Sequence, residues 1–257
     1  MVLNAVDECI EAVTERIGGI NSKDAQKLQE RFTRQVAAYF NTLARKFPYD
    51  KLPAYVRQYQ PKEAVEEEAA TRLVATAVED LSSVMMLVLT ENLLEGMSLS
   101  VSQTVMLLKV KASLALVDEG AKTWARAHAA EAVTKIDDVT RGKLANIIYE
   151  GTRTGKSVPQ ISQMIRTEIA GMSQSRALMI AQTELAEAMS EAALRTYERL
   201  GVEGKRWLTA YNPCDICLSN EADGIIPVGQ SFSSGHMRPT AHPRCLCSLA
   251  PVGTLRG

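Results

Sequence analysis

The chain has 257 residues, 46% apolar but only 5% aromatic, and its 29 Lys/Arg against 30 Asp/Glu leave a net charge of −1. That composition can build a sizeable core, in one large domain or two small ones, from helices packed through small and medium side chains. It excludes a global field drawing the chain onto nucleic acid or acidic lipid. Residues 141–200 hold eight Lys/Arg against six Asp/Glu, and residues 201–257 hold five against four, so the tail is only mildly basic. An ordinary solvated surface accounts for that.

Asp7, Glu8 and Glu11 fall where the apolar core of a leader would sit, and the longest apolar run, Val84–Leu89, is too short to span a bilayer. The expectation is a soluble chain made in the cytoplasm, with no membrane partner. Clustered cysteines in that compartment point to metal rather than to disulfides.

Val2 to Ile17 places apolar residues at helical spacing, with Gly18-Gly19 as the stop and Cys9 as a small buried apolar residue. Ser22 can cap a long helix running to about Lys46. Pro48 and Pro53 end it, and Pro48 to Pro61, with Tyr49, Tyr55 and Tyr59, reads as an extended connector. Lys62 to Leu94 is a helix former whose acidic start, Glu66-Glu67-Glu68, suits a helix N-terminus, with Met85 and Met86 as core filler. Gly96 to Ser102 reads as a break. A further helix is expected from about Gln103 to Lys135, carrying Trp124.

Asp137 or Asp138 is the expected cap of a helix from Val139 to about Arg153, ended by Gly155. Gly151-Thr-Arg-Thr-Gly-Lys156 lacks the spacing of a phosphate-binding loop and follows a helix rather than a strand. Ser157-Val-Pro-Gln160 is a capping box with proline in the first turn, opening a helix to about Ala170. Gly171 reads as a break and Ser173 as the cap of a helix reaching Leu200, striped by Ala177, Ala181, Leu185, Ala188 and Ala192. Beyond Gly201, strands are expected at Lys205–Ala210, at Ile225-Ile226 and at Leu246–Val252. The fold class is therefore mainly α. An extended helical docking region, residues 1–135, precedes a small α+β domain, residues 136–257, with a metal-pinned β-structure.

The chemistry concentrates at the end of the chain, as C-x2-C-x24-H-x2-C-x-C: Cys214, Cys217, His242, Cys245 and Cys247. Two turns of matched spacing can aim at one ion, and mixed sulfur and nitrogen donors suit zinc. Cys214, Cys217, His242 and Cys245 are the first choice of ligands, with Cys247 able to replace Cys245 or His242. Five donors for four places fit a closed, structural site, whereas a catalytic zinc keeps one place for water. Pro213-Cys214-Asp-Ile-Cys217 matches half of the zinc-deaminase signature, but the His-x-Glu half is missing: His128 is followed by Ala-Ala-Glu131. A redox role for the Cys214/Cys217 pair lacks the strand-then-helix context it needs. His236 reads as a solvated residue of a Gly/Ser loop. Thr183 and Glu184 read as a structural tie to an arginine or backbone group rather than as general-base machinery.

These residues together resemble a family, the minor head or head-morphogenesis proteins of tailed bacteriophages, of the Mu F type. The resemblance rests on Arg176 followed by Ile180-Ala181-Gln182-Thr183-Glu184 and Ala188, then Gly201 and Trp207. It continues through Cys214 and Cys217, Gly224 and Phe232, and ends in Pro239, His242, Pro243, Cys245 and Cys247. It covers about residues 140–252. Many members carry arginine between the last two cysteines, where this chain has Leu246. The resemblance implies a non-enzymatic minor capsid protein of the virion, acting at the portal vertex in head assembly and in DNA packaging or delivery. Its implied partners are the portal protein and/or the major capsid protein, with packaged double-stranded DNA as a further contact. The alternative class is a zinc-dependent enzyme or DNA-binding module acting on nucleic acid.

Overall fold

A computed structural model describes residues 19–58, 66–108 and 118–255. The helix expected over Val2–Ile17, with Cys9 on it, lies outside the described residues, as does the end of the Pro48–Pro61 connector. The described helices are α1 Lys23–Lys46, α2 Leu52–Gln58, α3 Glu67–Leu107, α4 Glu119–Arg153, α5 Val158–Gly171, α6 Ala177–Leu200 and α7 Asp215–Ala222. The strands are β1 Val202–Leu208, β2 Ile225–Pro227 and β3 Ser248–Leu255, in one antiparallel sheet of order β2-β1-β3. The chain is mainly helical with a small C-terminal sheet, the fold class expected.

Local signals account for several boundaries. Ser22 accepts the backbone N–H of Ala25 at 3.2 Å and so caps α1. At the start of α5 the Gln160 side chain accepts the Ser157 backbone N–H at 2.8 Å, the return arm of the capping box. Three expected breaks are absent. Gly96 lies inside the continuous α3, because a glycine there lets α6 approach: an added Cβ would sit 2.5 Å from Leu185 Cδ1. Gly171 passes straight into a five-residue π turn, Met172–Arg176, that carries α5 into α6. Asp137 does not cap a helix; it is buried inside α4, bonded to other side chains. The expected connector after Pro48 instead holds a 3-10 turn and α2, with Pro53 in its first turn.

By contacts the chain divides into two units: Thr33–Leu89 with Ala127–Leu178, and Met1–Phe32 with Thr90–Arg126 and Met179–Gly257. This division does not follow the expected 1–135 and 136–257 boundary, which would cut α4 in its middle. The first, all-helical unit is built on Phe40, Leu43, Met85, Leu144, Ile148, Ile161, Ile165 and Ile169, all fully buried. Inside it the Tyr39 hydroxyl donates to Asp137 at 2.9 Å, and Ser82 bonds the same carboxylate. Burial and the Asp137 charge push the Tyr39 phenol well above its usual range. Arg176, at the end of the π turn, donates to Thr140 Oγ1 at 2.7 Å and to the Ile136 carbonyl at 3.1 Å, with the Phe40 ring beneath it.

The second unit packs the alanine stripe of α6 and the sheet. Ser100 donates to the Met189 carbonyl at 2.7 Å, and the Gln103 amide joins Ser22 to the Gly19 N–H. Trp207 and Lys205 stand on one face of β1, both fully buried, with Trp207 edge-on to Phe232 at 5.2 Å. Lys205 Nζ donates to the Met237 carbonyl at 2.7 Å and lies over the Phe232 ring. Burial pulls its ammonium down to about 8.

By length and composition α3 is apolar enough to cross a membrane, with 33% of its most apolar stretch buried. The run-length expectation missed this, because Ser, Thr and Gly interrupt an apolar run without adding charge. Leu81, Met85, Leu89 and Leu93 form a buried stripe, while Leu87 is 64% exposed.

Candidate metal centre

The five expected ligands come together from three places. Cys214 is the N-cap of α7 and Cys217 sits in its first turn, so both sulfurs leave one side of a helix start. His242 and Cys245 belong to the turn before β3, closed by a Cys245 N–H to His242 carbonyl bond of 3.1 Å. Cys247 directly precedes β3. Their donor atoms form two overlapping groups, Cys214/Cys217/His242 and Cys217/Cys245/Cys247, each with all its atoms within 4.8 Å of one another. Cys217 is common to both.

Two donor–donor edges, both at Cys217, have the length a tetrahedral ion needs, while the five donors fall into two groups of three rather than one group of four. A zinc–sulfur bond of about 2.3 Å implies a sulfur–sulfur edge of about 3.8 Å. Cys217 Sγ lies 3.7 Å from Cys245 Sγ and 3.8 Å from His242 Nε2. His242 Nδ1 is 2.8 Å from the Pro243 carbonyl, which can only accept; the ring proton is therefore on Nδ1, and Nε2 keeps a free lone pair facing the sulfurs.

The metal-free cluster shares its protons unevenly. Burial pushes the Cys217 thiol up to about 12. The Cys245 thiol is raised because it donates to Cys247, and burial adds to this, while the same contact lowers Cys247. The Cys217 backbone N–H holds the partly exposed Cys214 below its usual value, and the bond to Pro243 raises His242. Protons thus stay on the inner sulfurs, Cys217 and Cys245, until a cation displaces them.

The other motif residues surround the cluster. Thr183 Oγ1 accepts the Arg244 backbone N–H at 3.0 Å, the expected structural tie, and Arg244 adopts a positive φ of 64° there. Trp207, Phe232, Cys217, Cys245, Cys247, Leu249 and Tyr197 share one buried cluster. Two expectations change. The Cys214/Cys217 pair does follow a strand and open a helix, the context its redox reading was said to lack. His236 is half-buried rather than solvated, with Nδ1 2.8 Å from Ser234 Oγ and its ring edge-on to Trp207.

One network escaped the sequence reading. Arg238 donates to Glu187 at 2.6 Å and to Glu191 at 2.7 Å, with Trp124 beneath its guanidinium. Glu187 also accepts the backbone N–H and the hydroxyl of Thr240, at 3.2 and 3.1 Å. The i,i+4 spacing of Glu187 and Glu191 on α6 was the available signal. Nothing in the sequence pairs them with a loop arginine 47 or more residues away.

Comparison of the chain with protein-family models, with curated proteins and with solved structures found no match.

Proposed function

We propose that this chain is a minor head, or head-morphogenesis, protein of a tailed bacteriophage, without enzymatic activity of its own. It belongs to the virion, at the portal vertex, and acts in head assembly and in DNA packaging or delivery. Its partners are the portal protein and/or the major capsid protein. The observation that carries this reading is the closure of the motif residues on one another. Thr183 holds the turn of His242 and Cys245, Trp207 packs on Phe232, and five metal donors converge beside them.

The donor set fits zinc in a structural role. Cys214, Cys217, His242 and either Cys245 or Cys247 would hold it, and the ion would supply folding energy by tying the start of α7 to the turn before β3 beside the Trp207–Phe232 core. Five donors close together, in two groups of three that share Cys217, are more than the three ligands a catalytic zinc keeps, which supports the non-enzymatic reading over a zinc enzyme.

Co-expression with the portal and major capsid proteins of the phage that carries it, followed by affinity capture of this chain, tests the proposal. Retention of either protein at a fixed stoichiometry is the expected result. A chain that retains neither, and that leaves no trace in purified virions, refutes it.

A further inference from the structure

We infer that Glu187 is the positioning residue of the metal centre, and that α6 sets the His242–Cys245 half of the site before any ion arrives. This rests on the zinc reading above and goes beyond it, because Glu187 is not a ligand.

The argument starts from a loop that has no regular structure of its own. Residues 238–244 lie in neither helix nor strand, so beyond the single Cys245 N–H to His242 carbonyl bond of the turn no backbone ladder fixes His242. Three residues of α6 at i, i+4 and i+8 anchor the loop on either side of it. Thr183 takes the Arg244 N–H at 3.0 Å, two residues after His242. Glu187 takes the Thr240 N–H and hydroxyl, two residues before it, together with Arg238. Glu191 takes the other side of the Arg238 guanidinium at 2.7 Å, while its second oxygen accepts from Arg195 at 2.6 Å.

These bonds are of the strong kind. The Arg238–Glu187 and Arg238–Glu191 contacts are charge-assisted, and their side chains are only 13–22% exposed. His242 is therefore held from both sides by one helix face, and its Nδ1–H is fixed by Pro243. A partner bonded directly to a metal ligand is typically worth about 10–100-fold in metal affinity; Glu187 acts through the loop on either side of the ligand, so its share lies at the lower end, about 10-fold. Glu187 is the central anchor, because one carboxylate oxygen receives three donors.

The test compares zinc affinity by competition with a chromophoric chelator, and the visible spectrum of the cobalt(II) form, across full-length variants. Glu187→Gln should weaken zinc about 10-fold and alter the cobalt spectrum through a misplaced His242. The control is Ser22→Ala. It removes the buried cap of α1 and the bond from Gln103 in the same unit, and Ser22 is not among the residues packed around the cysteines. It should lower the melting temperature of the metal-free protein yet bind zinc as the unaltered chain does. Thr183→Val, which removes a single bond, gives the same direction more weakly if Glu187→Gln does not fold. Zinc affinity unchanged in Glu187→Gln, or reduced no more than in Ser22→Ala, overturns this inference and leaves the zinc reading intact. An unaltered chain that binds neither zinc nor cobalt overturns both.

Discussion

Replacing Cys217 with alanine is the sharpest perturbation, because its sulfur belongs to both donor groups. Whichever of Cys245 and Cys247 completes the tetrahedron, Cys217 is in the set. Zinc at about a thousand times its dissociation constant stabilises the folded chain by about 4 kcal/mol. One kcal/mol moves the melting temperature by about 2–4 °C at 150–250 residues. Adding a chelator to the unaltered protein should therefore lower its melting temperature by about 8–16 °C. Cys217→Ala should melt at the lowered temperature from the start, carry no zinc by elemental analysis and show no response to chelator. Cys247→Ala should keep both the metal and the chelator response if Cys245 is the fourth ligand, and Cys245→Ala should do so if Cys247 is. Differential scanning fluorimetry with and without chelator reads all of these. A Cys217→Ala protein that holds one zinc as tightly as the parent would refute the shared-donor geometry.

Three other expectations follow from packing and charge. Arg176→Ala removes two charged hydrogen bonds but leaves the Thr140 hydroxyl bonded to the Ile136 carbonyl, so it should cost about 1.5–3 kcal/mol in urea unfolding; a loss under 0.5 kcal/mol would contradict the network. Gly96→Ala gains about 1 kcal/mol of helix propensity but puts a Cβ 2.5 Å from Leu185 Cδ1, at an overpacking cost of about 1–3 kcal/mol, so it should destabilise by about 0–2 kcal/mol net, and a variant stabilised by the full gain of about 1 kcal/mol would show that α3 and α6 are not in close contact there. Lys205 binds its proton less readily folded (about 8) than unfolded (10.5), so its contribution is lost as pH falls from about 10.5 to 8. Lys205→Met should therefore gain stability relative to the parent over that window, by at most about 3 kcal/mol, and a pH-independent difference between the two proteins would refute the buried-charge account.

Legibility in the sequence followed the range of the interactions. The capping box at Ser157, the Ser22 cap and the alanine stripe are local patterns, and all three stand as expected. The five donors were visible as spacing, and they converge. Glycines misled twice, because a glycine inside a helix marks either a stop or a close approach, and Gly96 and Gly171 could not be told apart from true breaks by pattern. Asp137 was read as a cap because an aspartate before an apolar period has that local meaning; its partners Tyr39 and Ser82 lie 98 and 55 residues away. The same distance hid the Arg238–Glu187–Glu191 network, and with it the means by which a loop without regular structure is held beside the cysteines.

X-ray absorption at the zinc edge of the purified, full-length protein tests the central claim most directly. The account predicts one zinc per chain in a closed four-coordinate shell, three sulfurs at about 2.3 Å and one imidazole nitrogen at about 2.0–2.1 Å. A shell containing a water or carboxylate oxygen, or a protein that takes up no zinc, would contradict it.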